Sequence, residues 1–540
     1  MNPHFDSAEP DLGRRKLLAA AGIGAGALLT SLPGRAGERQ ANTDTPDTGH
    51  ESSGDAATTP PVAGLHLQFG ADASTEVVVS WHTLQPVAQP RVLLGRPDGR
   101  LEKTVIARSK TYTDAKTHQT VHAHHATLGN LSADSCYLYA ALHGGAAPEF
   151  GTFRTAPRGR RAFSFTSFGD QGTPTLGRVV SASIAGAAAR DTYVNDNLGS
   201  PAAGDVTLGV ERLRPLFHLF NGDLCYASLA QDRVRTWWDF WSNNTRSARN
   251  RPWMPSPGNH DNELGNGPIG YQAYQTYFSL PPTQGQTDAT RGLWYAFTVG
   301  SMRVVALAND DVAYQDSGDT YVRGYSGGAQ KAWLRQALAA ARADASIDWL
   351  VVCMHHTAIS TADKFNGADL GVREEWVPLF DEYGVDLVVC GHEHHYERSH
   401  PIRGQRANAT LTPIPTGSAT DVIDTTQGTV HMVIGGGGTS APSNQLFFTP
   451  PCCRVITGVG ERDPATGKRA PVYVKEDAPW SAVRNAAHAY GFAAFDVDPG
   501  NHPGDMTTIT VTYYDVDGPD GQLAPFEKFA LRRPRRDGGG

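Results

Sequence analysis

Residues 385–399 read VDLVVCGHEHHYERS, an apolar run that empties into three histidines and two glutamates. Apart from Asp386 the run has the composition of a strand buried on both faces, as in a parallel sheet. Two familiar metal motifs fail on the polar residues after Cys390. A helical His-Glu-x-x-His zinc site needs a second histidine where Tyr396 stands. The pattern His-x-His-x-Asp-His needs an acid at Tyr396 and a histidine at Glu397. The surviving pattern is Gly391-His392-x-His394, two alternating histidines on a turn leaving a strand. That spacing either aims two imidazoles at one metal or at two neighbouring metals, or is a polar, solvated turn.

Carboxylates have to come from elsewhere in the chain. At 540 residues it is long enough for two to four domains. A 40% hydrophobic and 19% charged composition suits a soluble protein with a large core. The formal charge of -8, without a long run of Lys or Arg, argues against general nucleic-acid binding.

The N-terminus reads as an address. LGRRKLL at 12–18 opens an Ala/Gly-rich stretch to Leu32 that resembles a twin-arginine export signal, taken as residues 1–36. The apolar run is shorter than the roughly 20 residues a membrane span needs, so a stable anchor is not expected. Residues 37–61, rich in Ser, Thr, Asp, Gly and Pro, read as a disordered linker. Six cysteines accord with an oxidising destination without establishing one. Cys353 and Cys390 end buried-looking runs and are expected to be inert thiols. No Cys-x-x-Cys occurs, against a zinc ribbon.

From 62 to 157 the chain carries short alternating runs, LHLQF (65–69), EVVVSW (76–81), SCYLYA (135–140) and GTFRT (151–155), separated by turn residues. They predict an all-β sandwich the size of a fibronectin type III module. His118, His122, His124 and His125 fall here and are expected to be exposed strand or loop residues, since no acid or cysteine nearby completes a metal site.

After 158 apolar runs alternate with helix-like segments, an α/β pattern filling residues 158–540. FSFTSF leads to Asp170, LFHLF to Asp223, WMPSP to Asn259 and His260, and WLVVCM to His355 and His356. The opening run leads to His392 and His394. Each has a plainer reading: the aspartates as helix caps, Asn259 as a turn former, His355 as a core histidine. Five in order, at the strand ends where α/β sheets place their crevice, point together to a metal site.

The ordered set GDQG, GDLCYA, GNHD, VCMHH and GHEHHYER resembles that of the purple acid phosphatases, a branch of the calcineurin-like metallophosphoesterases. The likeness runs from about Val62 to the C-terminus, because the β-sandwich closing in TFRTAP resembles the N-terminal domain of plant-type members. It implies a fibronectin III-like sandwich followed by a two-sheet α/β metallophosphoesterase domain flanked by helices. It further implies that Asp170, Asp223, Tyr226 and His394 hold Fe(III), with Asp223 bridging to a divalent Fe, Zn or Mn held also by Asn259, His355 and His392. Phenolate and carboxylate donors suit a trivalent ion, amide and imidazole a divalent one. The implied reaction is attack of a metal-activated water on a phosphate monoester. His260 and His356 are the outer catalytic residues in this reading. Where many members carry a further histidine, residues 357–366 read TAISTADKFN, so the general acid is open, with Asp363 or a water as substitutes. Two other functions stay in view: a phosphodiesterase or phospholipase on the same site, with residues 404–475 reshaping the pocket, and a surface binding protein with vestigial metals.

Overall fold

The computed structural model describes residues 58–174, 180–182, 190–192, 198–315, 322–464 and 469–538. The expected export signal and nearly all of the expected linker lie outside the described residues. No helix among the described residues is long and apolar enough to cross a membrane.

Eight antiparallel strands form the N-terminal sandwich. One sheet runs in the order Ala63–Phe69, Val77–Thr83, Thr120–Leu128, Arg108–Thr113, and the other Leu101–Ile106, Arg91–Gly95, Cys136–Leu142, Glu149–Arg154. The sequence runs announced four of the eight. Leu101–Ile106 and Arg108–Thr113 escape a pattern reading because their faces are largely exposed, so little apolar alternation is required of them. The expectation of exposed histidines is wrong for His124 and His125. Thr120–Leu128 is an inner strand, so His124 is buried, its ring between Thr83 Oγ1 (3.0 Å) and Ser109 Oγ (2.8 Å). His125 is half-buried, with Ser80 Oγ at 2.8 Å and the Thr276 carbonyl at 3.0 Å. These hydrogen bonds satisfy the rings without a metal.

Beyond residue 158 two seven-stranded sheets pack together. The first orders Trp253–Ser256, Phe217–Asn221, Phe163–Phe168, Gly491–Asp498, Met506–Asp517, Gln522–Pro534 and Val422–Asp424. The second orders Tyr295–Val299, Met302–Ala306, Trp349–Cys353, Leu387–Cys390, Val430–Ile434, Tyr396–Ser399 and Ser481–Arg484. Strands carrying the polar motifs pair in parallel within each sheet, which aims their C-terminal ends the same way. Trp349–Cys353 and Leu387–Cys390 are buried throughout, as continuous apolar runs in covered parallel sheets must be.

Aromatic stacking fastens the first sheet: Phe165 lies between Phe217 (5.1 Å) and Phe495 (4.4 Å), its ring nearly parallel to both. The N-terminal sandwich joins the same core. Phe69 meets Phe217 edge-on at 5.8 Å, and His66 stacks on Trp241 at 3.7 Å. Trp241 belongs to helix Arg233–Ala248, started by the Asp232 side chain accepting from the Arg235 amide at 2.9 Å. The six cysteines are all free thiols. Cys353 and Cys390 are buried as expected, and burial pushes the Cys353 thiol up to about 12, which keeps it inert.

Candidate metal centre

The C-terminal strand ends of the two sheets meet, and the seven residues singled out in the sequence converge there. Asp170, Asp223, Tyr226 and Asn259 follow strands of the first sheet; His355, His392 and His394 follow strands of the second. Oxygen donors therefore come from one sheet and nitrogen donors from the other. All seven are buried, none more than 5% exposed.

Backbone shape aims them. Asp170 (φ 59°), Asp223 (φ 52°), Tyr226 (φ 56°) and His392 (φ 71°) all occupy the left-handed region, which costs a residue with a β-carbon about 1 kcal/mol or more. Strain concentrated at four of seven candidate ligands marks positions held for function rather than for chain economy. Close approach explains the neighbouring glycines. A β-carbon on Gly222 would stand 2.6 Å from His355 Nδ1, and one on Gly391 would land on the Asp170 carboxylate.

Hydrogen bonds fix which nitrogen of each histidine faces inward. His355 Nδ1 donates to the Asn221 carbonyl (2.8 Å), His394 Nδ1 to the Ala441 carbonyl (2.7 Å) and His392 Nε2 to Gln315 Oε1 (2.6 Å). Their other ring nitrogens turn to the centre as bare lone pairs. His355 Nε2 then lies 3.0 Å from Asn259 Oδ1, 3.2 Å from His392 Nδ1 and 3.3 Å from Asp223 Oδ2. The Tyr226 hydroxyl lies 3.0 Å from His394 Nε2 and 3.3 Å from Asp170 Oδ1, with His394 Nε2 3.4 Å from Asp170 Oδ1. Asp170, Asp223 and His355 offer atoms all within 4.8 Å of one another.

Acceptors facing acceptors in a buried space need positive charge between them. The electrostatics show the same shortage. Burial alone would lower His355, but the Asp223 and Asp170 carboxylates push it up to about 10, so without a cation it takes a proton. Burial followed by the neighbouring His356 and His355 presses His392 well below the usual imidazole value. Burial, then Asp170 and Asp223, push the Tyr226 phenol well up. Bound cations reverse each of these pressures, so the donor set fits metal ions.

Of the two outer histidines, His260 is half-buried, its Nδ1 3.1 Å from Ser228 Oγ and its ring 5.0 Å from that of Tyr226. His356 is fully buried against His392, ring centroids 4.2 Å apart. Its Nδ1 stands 3.8 Å from Asp310 Oδ1, neither ring nitrogen has a hydrogen-bond partner among the described residues, and burial holds it well below the usual imidazole value. The remainder of GHEHHYER serves the frame: His395 Nε2 meets Glu397 Oε1 at 3.0 Å, and Glu397 accepts from the Thr361 amide and hydroxyl. In the loop without a further histidine, Phe365 sets its ring edge-on to His394 at 4.9 Å and Asn366 Nδ2 donates to the His392 carbonyl at 2.5 Å.

Several positioning residues went unread in the sequence. Asn309 Oδ1 accepts from the His355 amide (2.6 Å) and the His356 amide (3.1 Å). It follows strand Met302–Ala306, a sixth apolar run with a polar end and the same signal as the other five. Asp261 accepts from the amides of Gly258 (2.8 Å), Asp223 (3.0 Å) and Leu224 (3.1 Å), tying two donor-bearing loops together. Gln315 carries no sequence signal at all.

A model of the calcineurin-like phosphoesterases matches residues 204–396, and one of the purple acid phosphatase N-terminal domain matches residues 62–155. Fold and site together define a metallophosphoesterase with a dinuclear metal centre. An uncharacterised protein of Mycobacterium tuberculosis is 61% identical over 476 residues, 88% of each chain. A purple acid phosphatase of Glycine max is 26% identical over 383 residues, 69% of this chain and 72% of that one. The purple acid phosphatase PPD1 of yellow lupin superposes with a TM-score of 0.61 at 18% identity, over 88% of this chain and 75% of that one. This chain belongs to the purple acid phosphatase family. It is a dinuclear-metal phosphoesterase, and its substrates are phosphate esters.

Proposed function

We propose that the protein is an exported acid phosphatase hydrolysing phosphate monoesters, with Fe(III) held by Asp170, Asp223, Tyr226 and His394, and a divalent Fe, Zn or Mn held by Asp223, Asn259, His355 and His392. The observation that carries this reading is the buried Tyr226 hydroxyl, 3.0 Å from His394 Nε2 and 3.3 Å from Asp170 Oδ1, where a phenolate would join a hard-oxygen set. When bound, such a pair of ions supplies Lewis acidity to the phosphoryl group and an acidified water.

The chain supplies the rest. Asp223, with Oδ2 3.3 Å from His355 Nε2 and its carboxylate grouped with that of Asp170, would serve both ions. The fixed tautomers of His355, His392 and His394 keep their lone pairs inward, so no side-chain motion is needed before the ester arrives. His260 presents a partly exposed ring on the same rim. Oriented through Nδ1 by Ser228, this ring is the group that contacts a phosphate oxygen or carries a proton to the leaving group. His356, its ring 4.2 Å from that of His392, is the second outer residue of this reading and also backs that donor. Export rests on Arg14 and Arg15 ahead of the Ala/Gly-rich stretch.

Metal analysis and a visible spectrum before and after Tyr226→Phe test the centre, and rates on a monoester and a diester test the substrate. About two metals per chain including iron, a visible band lost in the variant and a faster monoester reaction are expected. A colourless, fully loaded protein refutes the iron assignment, and a preference for the diester refutes the monoester reading.

A further inference from the structure

The turn between strands Arg108–Thr113 and Thr120–Leu128 belongs to the N-terminal sandwich, yet it grips both loops of the first sheet that flank His260. Asp114 is fully buried there. Its Oδ2 accepts from the Thr117 amide at 2.7 Å, shaping the turn, while Oδ1 accepts from Asn266 Nδ2 at 2.9 Å. The Ala115 amide donates to Asn266 Oδ1 at 2.8 Å, so one asparagine amide is held at both ends by the turn. A β-carbon on Gly265 would come within 2.7 Å of the Ala115 β-carbon. Asn266 and Gly265 close the loop that begins at Gly258-Asn259-His260-Asp261. From the same turn Lys116 Nζ donates to the Ala230 carbonyl at 2.6 Å, and Gln119 Nε2 reaches Asp232 Oδ2 at 3.4 Å. Ala230 and Asp232 close the loop that begins at Tyr226 and carries Ser228. Where the two loops touch, His260 Nδ1 meets Ser228 Oγ.

Nothing about the fold of the sandwich requires these contacts. A turn in a free-standing sandwich projects into water, whereas this one spends a buried carboxylate, a lysine and two amides on another domain's loops. We infer that this turn, through Asp114 and Lys116, is a positioning element for the hydrolytic reaction, setting the separation of the two loops and so the placement of His260. The inference rests on the reading of His260 as the residue addressing the phosphate group. Misplacement of such a group by about 1 Å can cost on the order of a hundredfold in rate, so a partial loosening is expected to cost several-fold.

The test uses the full-length, metal-loaded protein and p-nitrophenyl phosphate. Lys116→Met changes an exposed side chain and leaves the sandwich intact, with melting temperature and metal content as controls. Expected is a loss of about five- to tenfold in kcat with a smaller change in KM, a shifted limb of the pH profile, and recovery in Lys116→Arg, whose guanidinium still reaches the carbonyl. In a His260→Ala background Lys116→Met should cost nothing further. Wild-type kcat and pH profile in Lys116→Met, or losses that multiply in the double variant, would overturn the inference while leaving His260 in place. An unimpaired His260→Ala would instead overturn the reading of His260, and the inference with it.

Discussion

Replacing Asp261 by asparagine separates the frame of the centre from its ligands. The carboxylate serves three backbone donors: Oδ2 takes the amides of Gly258 (2.8 Å) and Asp223 (3.0 Å), Oδ1 that of Leu224 (3.1 Å). An asparagine oxygen in the place of Oδ2 keeps two of these, but its NH2 then faces the Leu224 amide, and a buried donor without a partner costs about 1–3 kcal/mol. An opposing contribution exists in the metal-free protein. Burial, followed by the charge of Asp223, pushes the Asp261 carboxyl well up, and asparagine relieves that repulsion. Bound ions already answer the charge of Asp223, so the loaded protein feels the lost hydrogen bond in full. Metal affinity should therefore fall by about ten- to a hundredfold, the range for residues that orient ligands, equivalent to about 1.4–2.8 kcal/mol and consistent with the hydrogen-bond figure. Thermal melting of loaded and stripped protein, with chelator competition for affinity, reads both effects. The gap between the two melting temperatures should narrow. An unchanged gap at unchanged affinity would refute the reasoning.

Gly391→Ala places a β-carbon on the Asp170 carboxylate, and overpacking of this kind costs about 1–3 kcal/mol; metal content should fall, and full loading would contradict the close-approach account. Phe165→Ala removes the middle of the Phe217–Phe165–Phe495 stack and should cost about 3–5 kcal/mol in denaturant titrations, a loss under about 1 kcal/mol being evidence against the stack as a fastener. Glu263 is fully buried, and burial pushes it up from 4.5 to about 7. A folded value above the unfolded one means its contribution is fully present below about pH 4.5 and is lost as pH rises through about 7, a swing of about 3 kcal/mol. Stability should thus decline over that window, and the decline should flatten in Glu263→Gln; an equal slope in the variant counts against the assignment.

How much of this was legible depended on how local the signal is. Asp170, Asp223, Asn259, His355 and His392 were readable because a buried strand followed by a polar turn is a pattern of about ten consecutive residues. Asn309 has that pattern too, but Asn-Asp-Asp reads equally well as an ordinary turn. Gln315 could not be read, because its meaning lies in a partner 77 positions away. The same holds for His124, whose burial depends on which strands flank its own. Strands Leu101–Ile106 and Arg108–Thr113 stayed hidden because exposed faces leave composition free. Within the His392–Glu397 cluster the alternation singled out His392 and His394, but only the fold shows that His395 and Glu397 brace a loop.

The split of donors between the sheets gives the centre a direction of failure. The nitrogen donors on the second sheet's wall are not alike: the Asp223 and Asp170 carboxylates overcome burial and push His355 up to about 10, while burial and the neighbouring His356 and His355 press His392 well below the usual imidazole value. On acidification protons should therefore compete with the ions first at His355, while His392 keeps its lone pair. Acid would then loosen the centre at one position of the histidine wall rather than along the whole of it.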